Sequence, residues 1–396
     1  MLGLGVPAED LYNMSTERPA ILSYCATFLP REMLHVYRQV TGIKNFENHI
    51  VTRTRKNESS FPYVRLTLLR KSPWRGLRRL CYRIRGRAVP LGSSEISQVL
   101  EVAESKRAQL LHIYLGSEAL RALKLLNSFP RARVVSFHGA DLSHEFSSRD
   151  YAALWPLAEL FLCRSEALRK DLIAKGCPAE RIRLNYTGVP LPPSTGPRRW
   201  KADRDGSPVR FLQVCRLIAK KGLDVSVRAI ASLYSEGRLV RLTIAGVGAE
   251  EPRLRELAKN LGVSDIVDFV GFVSGSSLDD LYRQNDIFLH PSRETATGDR
   301  EGIPNSLIEA MSHGLPVIST RHGGIPEAIT HGENGMLIDS SNPTELTIQA
   351  KVLTDDNNLY ERLSQSARNR VELAFSTPAC IKRLEASYQE ALQLRS

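Results

Sequence analysis

Short apolar segments rich in β-branched residues alternate with helical patterns along most of the chain, and this alternation constrains the fold more than any other feature. Predicted strands are 20–28, 110–115, 132–139, 160–165 and 182–189, followed by 209–217, 241–248, 266–273, 286–292, 315–320 and 334–339. Predicted helices include 222–236, 250–261, 277–284 and 304–313. Continuously apolar strands separated by helices are typical of parallel sheets covered on both faces. The sequence therefore predicts an α/β protein with two doubly wound, Rossmann-like domains.

The alternation breaks at 190–209, where PLPPSTGPRRWKADRDGSPV is dense in proline, glycine and charge and has no periodicity. Such a composition is typical of a linker between domains. We therefore predict an N-terminal domain over 1–190, a linker over 191–208 and a C-terminal domain over 209–375. The pattern of 376–396 predicts a final helix.

The bulk composition favours a soluble cytoplasmic protein. No apolar run approaches the ~18 residues that span a bilayer. The N-terminus carries acidic residues early and has no continuous hydrophobic stretch, unlike a secretory signal. The six cysteines are scattered without a CxxC pair, which favours reduced thiols over a disulfide framework or a zinc site.

A basic tract at 53–87 accounts for much of the net charge of +11. It contains Trp74, Leu77 and other apolar residues among its lysines and arginines, and a single acid, Glu58. The tract fits a solvated basic face, an anionic membrane surface or lipid-phosphate acceptor, or nucleic acid, although no nucleic-acid-reading motif accompanies it. We favour the membrane surface or acceptor, and the candidate contact residues are Arg75, Arg78 and Arg79.

Two cations and two glycines follow the first two strands of the second half. Arg216 and Lys221 are separated by one turn and can converge on one anion, such as a diphosphate. An ordinary surface turn with two solvated cations is the alternative. Gly246 and Gly248 let the backbone approach a ligand, but position 251 is Glu, so the dinucleotide fingerprint of dehydrogenases is incomplete.

The segment REGIPNSLIEAMSHGLP at 300–316 combines an anion site with two carboxylates. Pro304 suits the first position of a helix, whose free N–H groups and dipole favour an anion. Gly302 lets this backbone approach a phosphate. Glu301 precedes the helix and Glu309 lies inside it, so their carboxylates can bind sugar and ribose hydroxyls. A helix with an acidic first turn is the alternative.

Two further strand ends carry candidate residues. Gly323 and Gly324 precede a second helix start, which should lie beside the Glu301 loop. In the first half, His138 ends a strand and should point into the cleft between the domains. There it could bind a sugar hydroxyl or steady developing charge, or it could be a structural histidine.

Together these motifs resemble the large retaining glycosyltransferase family with the GT-B fold, known as group 1 or family 4. The resemblance rests on the E-x7-E element at Glu301 and Glu309, the RL…KG element at Arg216 and Lys221, EAMSHGLPVIST at 309–320, and HGGIPEAITHGENG at 322–335. FHGAD at 137–141 and CRSEALRKDLIAKGCPAERIRLNYTGVPL at 163–191 are similar to the branch that builds bacterial exopolysaccharides on lipid-linked acceptors.

The resemblance implies that the two domains face each other across a cleft and that the last helix crosses back to the first domain. Arg216 and Lys221 would bind the donor diphosphate. Glu301 and His138 would hold the donor sugar, and Glu309 the ribose. The remaining donor contacts would come from Gly302, Ile303 and Asn305 at the distal phosphate and from the loop Val270–Val273, including Phe272, at the base.

The implied reaction is sugar transfer with retention, from a UDP- or GDP-sugar to a lipid-linked or polysaccharide acceptor, peripherally at the inner face of the cytoplasmic membrane. Neither a metal nor another cofactor is expected, since the only Asp-x-Asp, DRD at 203–205, lies in the linker. Two features depart from the family: the loop at 27–36 lacks the usual glycine pair, and Pro304 replaces a frequent glycine. A nucleotide-sugar epimerase or phosphorylase and a non-enzymatic membrane or nucleic-acid binding module are the alternatives.

Overall fold

The computed structural model describes residues 18–30, 33–70, 76, 81–82, 88–138, 142, 146–193, 196, 198–200, 206–295, 301–339 and 341–396. Its strands are β1 (Ala20–Phe28), β2 (Glu47–Arg55), β3 (Leu66–Leu68), β4 (Leu110–Tyr114), β5 (Ala132–Phe137), β6 (Leu160–Cys163), β7 (Ile182–Leu184), β8 (Val209–Val214), β9 (Val240–Ala245), β10 (Val267–Gly271), β11 (Ile287–His290), β12 (Val317–Thr320) and β13 (Met336–Ile338).

The helices lie between these strands and after them. They are α1 (Leu34–Gly42), α2 (Ser93–Ser105), α3 (Gly116–Arg121), α4 (Leu123–Ser128), α5 (Ser148–Leu154), α6 (Glu166–Ala174), α7 (Leu223–Ser235), α8 (Glu251–Asn260), α9 (Ser276–Gln284), α10 (Asn305–Ser312), α11 (Ile325–Ala328), α12 (Pro343–Asp355), α13 (Asn357–Ala374) and α14 (Thr377–Arg395). None of the helices described combines the length and apolar character needed to cross a membrane.

The strands form two parallel sheets, in the orders β3-β2-β1-β4-β5-β6-β7 and β10-β9-β8-β11-β12-β13. Both sheets are buried by helices on their two faces, as the apolar strands predicted. In each sheet the strand order reverses beside the first strand, β1 or β8. Ligands of open parallel sheets bind outside the carboxyl ends of the strands at such a reversal.

The sequence reading missed two strands, both in the N-terminal sheet. β2 and β3 overlap the stretch interpreted as a basic face, and residues 53–55 of the tract belong to β2. Three arginines of this stretch pair with carboxylates of the same domain: Arg53 with Glu118, Arg55 with Glu58, and Arg65 with Glu47. Much of the remaining tract, including Arg75, Arg78 and Arg79, lies outside the described residues, as does the DRD sequence.

The last helix, α14, packs against the N-terminal sheet. The carboxylate of Glu385 accepts hydrogen bonds from the backbone N–H groups of Lys44 and Asn45, both at 2.7 Å. The buried Tyr388 hydroxyl lies 2.7 Å from His112 Nδ1 of β4. The chain therefore returns to its first sheet after completing the second.

Candidate functional site

A cleft of about 690 Å³ opens between the carboxyl ends of the two sheets. From the C-terminal domain it is lined by Arg216, Lys220, Lys221, Gly246, Phe272, Val273, Glu301, Gly302, Ile303, Asn305 and Glu309, among others. From the N-terminal domain it is lined by His35, Arg164, Ser165 and Leu168. Most of the predicted site residues are therefore brought to one place.

The cationic loop after β8 turns sharply before α7. Gly222 ends this turn with φ of +63°, and a Cβ there would lie 1.9 Å from the carbonyl oxygen of Pro291. Only glycine tolerates both the left-handed backbone and the close approach. The turn thus holds Arg216 and Lys221 at the cleft wall.

Lys221 and Glu301 form a buried ion pair at the centre of the C-terminal wall. Lys221 Nζ lies 2.5 Å from Glu301 Oε2, and each side chain is 11% exposed. His290 Nε2 lies 3.9 Å from the same oxygen. Burial alone would raise the pKa of the Glu301 carboxyl, but the contacts with His290 and Lys221 outweigh it and hold the pKa at about 2. Glu301 is therefore a carboxylate at any working pH.

The glycines of the loop after β9 serve backbone packing first. A Cβ on Gly246, whose φ is +142°, would lie 1.8 Å from the carbonyl oxygen of Cys215. A Cβ on Gly248 would lie 2.3 Å from that of Leu217. The two strand-end loops lie against each other as a result, and Gly246 still lines the cleft.

The start of α10 faces the cleft, as predicted, with one correction. Pro304 is the residue before the helix, not its first residue, because its ψ of 127° is extended and α10 begins at Asn305. The neighbouring Gly323 has φ of +58°, and its Cβ would lie 1.9 Å from the carbonyl oxygen of Glu301. The two glycine-containing loops are therefore in contact, as the sequence predicted.

Glu309 lies one turn inside α10 and reaches across to the N-terminal domain. Its Oε2 is 3.2 Å from the hydroxyl of Tyr282, and its Oε1 is 3.6 Å from Nη1 of Arg38 in α1. Burial raises the pKa of the Glu309 carboxyl, and the charge of Arg38 opposes part of this rise. If Glu309 binds the ribose as predicted, the ribose and Arg38 would therefore share its carboxylate.

The loop assigned to the base is only partly at the cleft. Phe272 and Val273 line it, and Phe272 is 69% exposed. Val270 does not line it, because it lies within β10 with its side chain on the solvent side at 45% exposure. The predicted base contact is therefore restricted to Phe272 and Val273, which follow β10.

The N-terminal wall contains a pair of histidines, His35 and His138, of which the sequence predicted only His138. His138 directly follows β5, as predicted, but it is not among the lining residues. Its Nδ1 lies 3.4 Å from Nε2 of His35, which does line the cleft. Burial and the charge of Arg164 lower the pKa of both imidazoles, so both are neutral at pH 7.

A second contact between the domains borders the cleft. The carboxylate of Glu327, in α11, accepts hydrogen bonds from the backbone N–H groups of Glu166 at 2.7 Å and Ala167 at 3.2 Å. These amides begin α6 of the N-terminal domain. The carboxylate thus satisfies the N-terminus of that helix, where negative charge is favoured.

Several residues of the site were not predicted, including His35, Arg38 and Arg164. The spacing of His35 and Arg38 on α1 is a weak signal, because residues three apart share one helix face. Among the residues described, no group of three or more His, Cys, Asp or Glu could hold a metal ion.

Comparison with known proteins identifies the family. The family described as "Glycosyl transferases group 1" matches residues 197–370. Over 285 residues the chain is 36% identical to the amylovoran biosynthesis glycosyltransferase AmsK of Erwinia amylovora, covering 69% of this chain and 68% of that protein. The chain belongs to the group 1 glycosyltransferases. This glycosyltransferase is also 32% identical over 299 residues to the putative colanic acid biosynthesis glycosyltransferase WcaL of Escherichia coli K12, covering 74% and 73% of the two chains.

Solved structures confirm the fold of this group 1 glycosyltransferase. Anabaena HepE in complex with UDP matches with a TM-score of 0.73 and 18% identity, over 94% of this chain and all of that one. Sucrose-phosphate synthase from Thermosynechococcus elongatus matches with a TM-score of 0.69 and 18% identity, over 95% of this chain and all of that one. The predicted GT-B arrangement of two Rossmann-like domains is correct.

Proposed function

We propose that this glycosyltransferase moves a sugar from a UDP- or GDP-linked donor to a lipid-linked or polysaccharide acceptor during synthesis of a cell-surface polysaccharide. The observation that carries the proposal is that cations, a helix N-terminus and two carboxylates line one cleft at the sheet reversal. These groups match the diphosphate, the sugar and the ribose of such a donor. Relatives named for amylovoran and colanic acid biosynthesis support the acceptor class.

In this proposal Arg216 and Lys221 bind the donor diphosphate and stabilise it as it leaves. Lys221 is paired with Glu301, so the pair presents a cation to phosphate and an anion to sugar hydroxyls. The amides of Gly302, Ile303 and Asn305 meet the distal phosphate at the start of α10. Gly246 lets the backbone pass close to the nucleotide.

Transfer with retention requires no protein nucleophile in this proposal. The acceptor hydroxyl attacks the face from which the diphosphate departs, and a diphosphate oxygen takes the hydroxyl proton. Glu301 orients the donor sugar from the cleft wall, and His138, the second predicted sugar contact, lies behind His35, whose ring lines the cleft. Neither a metal nor another cofactor enters the proposed reaction.

A peripheral contact with anionic lipid at the inner face of the cytoplasmic membrane forms part of the proposal. The three arginines paired with Glu118, Glu58 and Glu47 are engaged within the domain. We assign the contact to Arg75, Arg78 and Arg79, the candidate residues of the tract. Changing all three to Glu should abolish cosedimentation with phosphatidylglycerol vesicles, and unchanged binding would refute this part.

Nucleotide binding provides the first test. UDP or GDP at 100 times its Kd should stabilise the protein by about 2.7 kcal/mol, which a thermal-shift assay measures as a rise in Tm. Arg216→Ala and Glu309→Ala should remove at least nine-tenths of donor turnover, whereas the exposed controls Arg253→Ala and Glu256→Ala should not. Full turnover by either site variant would refute the proposal.

Product analysis separates the alternatives. Nuclear magnetic resonance of the product should show the anomeric configuration of the donor, and an inverted product would contradict retention. A nucleotide sugar converted to its epimer without acceptor would identify an epimerase instead.

A further inference from the structure

The Glu309 carboxylate is contacted by one donor from each domain. Nη1 of Arg38, on α1 of the N-terminal domain, lies 3.6 Å from Oε1 of Glu309, and the two side chains are 22% and 21% exposed. The hydroxyl of Tyr282, on α9 of the C-terminal domain, lies 3.2 Å from Oε2. Each carboxylate oxygen therefore has a partner, and the two partners belong to opposite domains.

Arg38 lies behind the cleft wall rather than on its surface. Glu309 lines the cleft, and so does His35, which lies about one helical turn before Arg38 on α1. Arg38 itself is not among the lining residues. A nucleotide in the cleft would therefore contact the carboxylate of Glu309 and not the guanidinium group behind it. We expect Arg38 to affect nucleotide binding through Glu309.

The Glu309 carboxylate can accept further hydrogen bonds. Its two oxygens together offer about four lone-pair sites, of which Arg38 and Tyr282 use one each. The Tyr282 hydroxyl also lies 3.3 Å from the carbonyl oxygen of Ser306, but an ionised carboxylate is the stronger acceptor. Burial and the charge of Glu309 raise the pKa of Tyr282 well above its usual value, so the hydroxyl keeps its proton. One lone-pair site therefore remains on each oxygen.

We propose that Arg38 is a positioning residue that orients the Glu309 carboxylate from the opposite domain, so that its two oxygens accept hydrogen bonds from the 2′ and 3′ hydroxyl groups of the donor ribose. The identity of this ligand rests on the proposed function, whereas the ion pair does not. The proposal makes a helix of the N-terminal domain part of the nucleotide site. Ribose binding and the contact between the domains should then favour each other.

The charges around Glu309 support this role. Burial raises the pKa of its carboxyl, and Asp279 on α9 adds to the rise. The charge of Arg38 is the largest influence in the opposite direction, followed by the hydrogen bond with Tyr282. Arg38 therefore favours the ionised carboxylate, which accepts stronger hydrogen bonds from hydroxyl groups than a protonated carboxyl does.

The ion pair can be tested without a nucleotide. Urea unfolding of the wild type, Arg38→Met, Glu309→Gln and the double variant at pH 7 measures the coupling between the two side chains. We expect the effects on the unfolding equilibrium constant to depart from additivity by at least about threefold, because each change removes the same contact. Additive effects would overturn the inference.

Nucleotide analogues test the role of Arg38 in ribose binding. The probes are UDP, GDP and their 2′,3′-dideoxy analogues, and calorimetry measures each Kd. Arg38→Met should weaken the nucleotide that the wild type prefers by about 5- to 10-fold, on the scale of one hydrogen bond to a charged group. The dideoxy analogue lacks the hydroxyl groups that Glu309 would bind, so its Kd should change by less than about twofold.

A matched control and a conservative variant complete the experiment. Arg65→Met removes the same charge at the amino end of β3, away from the cleft, and should leave every Kd unchanged. Arg38→Lys keeps the cation, so it should weaken the ribonucleotide by only about 2- to 3-fold. If Arg38→Met does not fold, the comparison of ribonucleotide with dideoxy analogue is made with Arg38→Lys.

Equal weakening of the ribonucleotide and its dideoxy analogue by Arg38→Met would show that Arg38 does not act through the ribose, and would overturn the inference. Tighter binding would also overturn it, because Arg38 would then compete with the ribose for Glu309. An unchanged Kd for both would refute the inference and leave the proposed function standing. A wild type that binds neither UDP nor GDP would refute the proposed function and the ribose role together.

Discussion

Replacing Lys221 with Met would test the electrostatics of the cleft in the absence of any substrate. The substitution keeps most of the side-chain volume but removes the cation 2.5 Å from the Glu301 carboxylate. Glu301 would remain buried and charged, with the uncharged His290 ring 3.9 Å from its Oε2. Leaving one charge of a buried pair without its partner is strongly destabilising.

The structure gives the size of this effect. The pKa of Glu301 is about 2 in the folded protein against an ordinary value of 4.5. At about 1.4 kcal/mol for each pH unit, this difference corresponds to about 3 kcal/mol of stability at neutral pH. His290 contributes part of it, so we expect Lys221→Met to lower the free energy of unfolding by about 2 to 3 kcal/mol at pH 7.

The sign of the pH dependence follows from the lowered pKa. The stabilisation is fully present above about pH 4.5 and is lost as the pH falls toward about 2, so less than half should remain at about pH 3. Urea unfolding at several pH values, for the wild type, Lys221→Met, Glu301→Gln and the double variant, would measure this. A coupling energy below about 0.5 kcal/mol at pH 7, or one independent of pH, would refute the reasoning.

Three other variants test separate features. Glu327→Ala leaves two α6 amides without their acceptor, so it should lower the free energy of unfolding by about 1 to 3 kcal/mol. Hydrogen exchange at those amides should become at least about tenfold faster, and unchanged exchange would contradict the contact. Gly222→Ala should cost more than about 2 kcal/mol in urea unfolding, because its Cβ would meet Pro291, whereas a wild-type midpoint would contradict the turn geometry. Phe272→Ala should weaken nucleotide affinity by about tenfold in calorimetry if the ring stacks on the base, with Arg253→Ala as an unchanged control.

Most of the fold could be predicted because buried parallel strands are visible as apolar runs. β1 has the predicted bounds. The other strands that were predicted are a few residues shorter in the structure than in the prediction. The exceptions are β2 and β3, because charged residues within or beside these strands interrupt the apolar pattern. β2 buries the polar Asn48 near its start and the central residues Ile50, Val51 and Thr52, and its remaining positions carry polar or charged side chains. β3 is a three-residue edge strand with no buried position.

Prediction of the cleft succeeded where residues follow strands of one sheet. The carboxyl ends of neighbouring parallel strands must meet, so Arg216, Lys221 and Glu301 could be placed together from the sequence. The contacts of Glu309 with Arg38 and of Glu327 with α6 join opposite domains. They depend on how the two sheets face each other, and no local pattern encodes that orientation.

The return of α14 to the first sheet has a consequence for synthesis of the protein on the ribosome. Glu385 and Tyr388 contact Asn45 and His112, two residues that the ribosome adds to the chain hundreds of residues earlier. The first half of the nascent chain therefore lacks one of its own helices until residues 377–395 have left the ribosome. Emergence of α14 from the ribosome, rather than emergence of residue 190, sets the earliest moment at which that half can reach its finished state.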